Sequence, residues 1–369
     1  MGFKEEIFHE TGPKHLTAMD CFPKGGGDRH TSEGLSVPPA ALKNTDHQRS
    51  VVASLVQGVY SLERDRQRRN LGRYREDNVE PWWTSFNFHL DEPLIDHDKC
   101  IFGAIYKYNG QYASADSDVP EYVIAFRGTL LTPETRREDM KSNFKCFLNK
   151  LEESSRFKLA LNYVERFVEA KGARNVWLAG HSLGSAIALL VGKKMIYKME
   201  WFPKAYLFNP PVLYFPIELL EDEKVKKRIR SVHRMVKAGL IFVAPELSKT
   251  RMEDHFALLS SWTPHLFVNP ADIFCAEYIA YFERKVGAGE TMTLAENNSM
   301  RNLVSHVVFG TDLKDATHLL PSAYLIVNES HLNKKAAESS SCSDFLGAHT
   351  ISQWWRPDVR CQSTLYQYR

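Results

Sequence analysis

Apolar residues along this chain recur with two periods, and the alternation between them outlines the elements. Val51, Val52, Leu55, Val59 and Leu62 fall at helical spacing and predict a helix from about Gln48. The charged run from Glu63 to Asp77, with arginines at 64, 66, 68, 69, 73 and 75 among acids, reads as the solvated end of that helix and the loop beyond it. Ile101 to Tyr108 and Tyr122 to Phe126 read as neighbouring strands, and Tyr108-Asn-Gly-Gln111 supplies a turn between the first and a short extension. Phe157, Leu161, Val164 and Val168 make one face of a helix that Gly172 ends. Short apolar strands then follow at Val176 to Ala179, at Ala205 to Phe208 before Asn209-Pro-Pro, at Leu266 to Asn269 and at Ala323 to Asn328. Between them Val225, Ile229, Val232, Val236 and Leu240 predict an amphipathic helix with lysines and arginines on its other face, a pattern that reads first as plain surface and second as a membrane contact. Strands alternating with helices imply an α/β fold with a mainly parallel central sheet flanked by helices. Residues 1–45 have no period and contain Gly25-Gly-Gly27, which predicts a flexible N-terminal extension ahead of a single domain over 46–369.

The chemistry is concentrated at Val176 to Ala188, where an apolar strand runs into Gly180-His-Ser-Leu-Gly184 and out into a helix of small residues. This is the pattern of a nucleophile elbow centred on Ser182. The serine must sit on a sharp strand-to-helix turn, where a Cβ at position 180 or 184 would strike neighbouring backbone, and the turn is expected to leave its hydroxyl exposed. Ser185, Ala186 and Ala188 are small where that helix must lie close to the sheet. The bare five-residue pattern is cheap; the strand before it and the small-residue helix after it make it specific.

A serine hydroxyl is too weakly acidic to attack an ester unaided, so a base is required. In sheets with an elbow of this kind the order is serine, acid, histidine, each in a loop after a strand. Asp272 stands where the acid should be, after Leu266 to Asn269 and Pro270; it can equally cap a helix from Ile273 to Phe282. His181 lies inside the elbow and shapes the turn better than it serves as base. His349, beyond the last strand, is the favoured base, with His318 the alternative. Oxyanion donors are expected from the N–H of Leu183 and from Thr129, in the Phe126-Arg-Gly-Thr129 segment that closes an earlier strand. Arg127, beside a buried strand, is expected to pair with a carboxylate.

Phe126-Arg-Gly-Thr129, Gly180-His-Ser-Leu-Gly184, Asp272 and a late histidine together resemble the class 3 (fungal-type) lipases of the α/β-hydrolase fold. Leu319-Leu-Pro-Ser-Ala323 and Gln353-Trp-Trp-Arg-Pro-Asp358 look like the plant branch often labelled GDSL esterase/lipase, although no Gly-Asp-Ser-Leu block occurs. The resemblance covers roughly residues 48–369. It implies hydrolysis of carboxylic esters, acylglycerols among them, by Ser182, Asp272 and His349 without a metal or cofactor. The competing reading is a catalytically inactive lipase-like scaffold used in binding or signalling. Acyl transfer to an alcohol other than water would use the same residues.

Composition narrows the partners. A formal net charge of +2 over 369 residues gives no reason to expect nucleic acid, and the expected partner is an acyl-ester or lipid substrate, with transient contact at a membrane surface. Six cysteines, Cys21, Cys100, Cys146, Cys275, Cys342 and Cys361, have neither zinc spacing nor Cys-x-x-Cys pairs. No signal-peptide pattern opens the chain, no run of about eighteen apolar residues occurs, and Glu6 breaks the myristoylation pattern after Gly2. The expected location is therefore cytoplasmic, with free thiols. Leu130 to Lys150 and Val212 to Trp262 are the two candidates for a cover over an acyl groove, and each reads at least as well as plain packing.

Overall fold

The computed structural model describes residues 45–72, 82–109, 119–130, 151–172, 175–211, 258–287, 320–330, 347–356 and 358–367. The N-terminal extension, the turn after Asn109, residues 131–150 and 212–257 of the two candidate covers, the basic helix around residues 225–240, and His318 lie outside them.

The described residues build one eight-stranded sheet whose spatial order is the order of the chain: β1 (Phe88–Ile95), β2 (Ile101–Tyr108), β3 (Tyr122–Phe126), β4 (Val176–His181), β5 (Lys204–Phe208), β6 (His265–Val268), β7 (Ala323–Asn328) and β8 (Cys361–Tyr366). Strands β3 to β7 are parallel, and antiparallel pairs close both edges, β1 and β2 at one and β8 at the other. This is the mainly parallel α/β sheet that the alternation of strands and helices predicts.

Among the described residues four helices accompany the sheet: α1 (Thr45–Asn70), α2 (Ser155–Lys171), α3 (Leu183–Met199) and α4 (Glu277–Gly287). A sheet laid down in one direction by right-handed crossovers carries those crossovers on a single face. Accordingly α2, α3 and α4 share one core with the strand residues Ile124, Leu178, Leu207 and Leu266. The opposite face is covered by α1, which precedes the first strand, and by the short helical turn Ile351–Trp355, packed on Val123, Trp177, Tyr206 and Phe267. With both faces covered, β3 and β4 are buried along their whole length, which is why their sequences are apolar without alternation.

Two strands depart from the expectation drawn from periodicity. β1 carries Pro93 and a register shift between Leu90 and Glu92, and four of the six residues of β8 are exposed. Edge strands do not need two apolar faces, so neither produces the signal that the inner strands do. The helix α1 also runs further than a solvated end would suggest. Glu63 is fully buried and accepts the Ile101 N–H at 2.7 Å and a bidentate bond from Arg66.

The parallel register brings the carboxyl ends of four strands level. Phe126 pairs with Gly180, His181 with Phe208, and Phe208 with Phe267. The segments that leave these ends, Arg127–Thr129, Ser182, Asn209 and Asn269–Asp272, therefore meet along one rim, where open α/β sheets place their sites.

Candidate active site

Ser182 joins β4 directly to α3, with φ of 56° and ψ of −125°. A residue with a β-carbon is strained there, and the turn persists because its surroundings fix it. The Ser182 N–H donates to Phe208 O at 2.9 Å, and its carbonyl accepts from Ser185 N at 3.0 Å. A Cβ on Gly180 would strike the Gly184 carbonyl, and one on Gly184 would strike the Phe126 carbonyl, so the crossing of elbow and β3 leaves room for hydrogen alone.

The structure brings the three sequence-predicted side chains into one row. Ser182 Oγ lies 2.9 Å from His349 Nε2, and His349 Nδ1 lies 2.9 Å from Asp272 Oδ2. All three residues are buried; Ser182 is 3 % exposed, so the hydroxyl expected to stand open is enclosed in this conformation. The ring of Phe274 sits 5.0 Å from that of His349.

Asp272 closes a turn with one carboxylate oxygen and faces His349 with the other. Its backbone carbonyl accepts from Cys275 N and Ala276 N and its Oδ1 from Phe274 N, which caps the turn, while Oδ2 faces His349. The helix it was expected to cap starts later, at Glu277. Burial opposes ionisation of this carboxyl. The His349 charge and hydrogen bonds from His349, Asn209 and Phe274 outweigh burial and hold it below the usual carboxylate range.

Asn209 is the residue that periodicity and motif missed. It follows β5 in the left-handed region, at φ of 47°, where asparagine is among the better tolerated residues. Its Nδ2 donates to Asp272 Oδ2 at 2.6 Å and to Ala348 O at 3.1 Å, and its Oδ1 accepts from Trp354 Nε1 at 2.7 Å. Gln353 continues the network. Its Nε2 donates to Ala348 O at 2.7 Å and Thr350 O at 2.9 Å, and its Oε1 accepts from Asn269 at 2.6 Å and Asn328 at 3.0 Å. The histidine segment is thus fastened to the ends of β5, β6 and β7 by side-chain amides. A polar amide directly after each of two apolar strands, and at the last position of a third, was the available signal.

On the other side of Ser182, the N–H of Leu183 is the first of α3 and has no acceptor within the helix. Thr129 is exposed at the end of the segment leaving β3. Arg127 departs from expectation: its guanidinium donates to the carbonyls of Ile101 and Gly128, each at 2.7 Å, rather than to a carboxylate. The buried carboxylate nearby, Glu63, is already occupied by Arg66 and the Ile101 N–H. Among the described residues no cluster of His, Cys, Asp or Glu could hold a metal ion, and no helix is long and apolar enough to cross a membrane.

A known protein resembles this chain in sequence along its length. A protein of Arabidopsis thaliana named GDSL esterase/lipase is 35% identical over 386 residues, spanning 99% of each chain. The chain belongs to this esterase/lipase family. No family model matches the sequence. Among solved structures, a lipase from Rhizopus microsporus var. chinensis is 15% identical with a TM-score of 0.30, covering 71% of this chain and 75% of its own. A hyperthermophilic esterase from the archaeon Pyrobaculum calidifontis is 11% identical with a TM-score of 0.28, covering 73% and 96%.

Proposed function

We propose that this member of an esterase/lipase family hydrolyses carboxylic esters of lipid or other acyl substrates through an acyl-enzyme on Ser182, as its resemblance to the class 3 lipases implies. The observation that carries the reading is the row Ser182–His349–Asp272, with 2.9 Å at each step, beneath the first N–H of a helix. His349 Nε2 takes the Ser182 proton as Oγ attacks the ester carbonyl, and the oxyanion that forms is met by the N–H of Leu183 and by Thr129. The imidazolium then protonates the departing alkoxide. Water attacks the acyl-enzyme with His349 again as base, and the carboxylic acid leaves with Ser182 restored. Asp272 accepts from Nδ1, which keeps the Nε2 lone pair toward the serine.

Transient contact with a lipid surface would bring an ester to the rim where Ser182 lies. A fluorophosphonate probe tests the reading. Wild type should be labelled covalently and Ser182→Ala should not. Absence of labelling in wild type, together with no turnover over an ester series of rising acyl length, would instead favour a lipase-like scaffold that binds without reacting.

A further inference from the structure

A buried chain of hydrogen bonds joins the oxyanion side of the site to the histidine side without passing through Ser182. The Gly128 N–H donates to Tyr60 Oη at 2.7 Å, Tyr60 Oη lies 2.8 Å from His181 Nδ1, and His181 Nε2 lies 2.7 Å from the backbone carbonyl of His349. Its two ends fix every proton in it. An amide N–H can only donate, so the Tyr60 oxygen accepts there and turns its own hydrogen to His181 Nδ1. A carbonyl can only accept, so the remaining imidazole proton sits on Nε2. Burial, and then the neighbouring charge of His349, push His181 down to about 3, and burial pushes the Tyr60 hydroxyl up to about 12. Neither exchanges its proton in the working range, so the chain has one polarity whether or not His349 is charged.

The oxyanion end is gripped twice. Tyr60 holds the peptide N–H of Gly128, and Arg127 holds its carbonyl at 2.7 Å. The peptide that contains this carbonyl also contains the Thr129 N–H, and in a planar trans peptide the two point in opposite directions. Fixing one therefore aims the other. Gly128 itself lies against the nucleophile, since a Cβ placed on it would come within 2.9 Å of Ser182 Cβ.

We propose that Tyr60 and His181 are positioning residues for ester cleavage, setting the Gly128–Thr129 oxyanion segment and the His349 segment at a fixed separation across Ser182. Tyr60 reaches the rim from the middle of α1, so a helix that contributes nothing to the triad determines how its two sides face each other. The inference rests on the hydrolase reading above.

The test uses the purified full-length protein, a short-chain p-nitrophenyl ester and a fluorophosphonate, with each variant assayed well below its own thermal midpoint. Tyr60→Phe deletes one hydroxyl and should lower kcat and the labelling rate more than tenfold while KM stays within twofold. His181→Gln places an amide N–H where Nε2 was and should retain more kcat than His181→Leu, which has no donor. Because the bonds act in series, Tyr60→Phe combined with His181→Leu should be little worse than His181→Leu alone. A labelled wild type with Tyr60→Phe within twofold of it in kcat, a loss confined to KM, equal losses in His181→Gln and His181→Leu, or effects that multiply in the double variant would overturn this inference alone. A wild type that is not labelled overturns it together with the reading of Ser182.

Discussion

The two sides of Ser182 are held by different forces. On the elbow side, β3, β4 and α3 cross so closely that the constraint is steric: the carbonyls of Phe126 and Gly184 occupy the space a side chain would need at Gly184 and Gly180. On the histidine side, residues 347–355 belong to no strand and are held by a network of amides from Asn209, Asn269, Asn328 and Gln353. Steric constraint is unforgiving because a packed core cannot yield, whereas a polar network can lose a member and leave the fold standing with its reactive group displaced. Changes on the first side should therefore cost folded protein, and changes on the second should cost turnover.

The largest effect should come from forcing the steric side. Gly184→Val is expected to yield no soluble folded protein, judged by circular dichroism and size-exclusion chromatography; a folded variant would show that the crossing can open. Next, Asp272→Asn should fold and lose about 10⁴-fold in kcat, because its amide would leave Nδ1 without an anionic acceptor. A loss under tenfold would remove Asp272 from the mechanism.

Asn209→Gly sharpens the comparison, since glycine accepts the left-handed backbone and removes only the side chain. It strips a donor from Asp272 and from Ala348 O and should cost roughly 2–4 kcal/mol of stability, with kcat down by about 10–100-fold in the folded protein. Asn209→Asp should be worse, as it sets a second carboxylate against the first. Urea unfolding alongside kcat separates the two effects.

Acid should weaken the fold in a way traceable to one side chain. The His181 value in the folded protein, about 3, is below the 6.5 of a free histidine, so the unfolded chain binds the proton first. The stability due to neutral His181 is complete above about pH 6.5 and is lost as pH falls toward 3. In urea titrations between about pH 6 and 4, His181→Gln should show a slope smaller than wild type by about 1.4 kcal/mol per pH unit. Equal slopes would place the acid sensitivity elsewhere. The smallest effect belongs to the exposed edge: Ser363→Ala on β8 should change stability by no more than about 0.5 kcal/mol.

The same contrast explains what could be read from the chain. The elbow is local, and strand, glycines and small-residue helix are contiguous, so its geometry follows from neighbouring residues. Inner strands announce themselves because both of their faces are buried; β1 and β8 do not, having one partner each. Asp272 and His349 were legible by their order after successive strands. Asn209, Gln353 and the Tyr60–His181 bridge were not, because their meaning lies in contacts across long stretches of chain, such as the 139 positions between Asn209 and Ala348. Arg127 was legible as buried, but a charge on a side chain does not reveal that backbone carbonyls will satisfy it.

The monotonic strand order has a consequence for how reactivity is acquired. As the polypeptide emerges, β1 to β7 can pair one after another, each new strand docking on its immediate predecessor, and the tight serine turn can form early. The imidazole comes only afterwards, in the stretch between the last parallel strand and β8. If His349 is the base, as proposed above, an incompletely synthesised or partly folded molecule carries an inert hydroxyl, and the capacity to cleave is switched on by the final docking event.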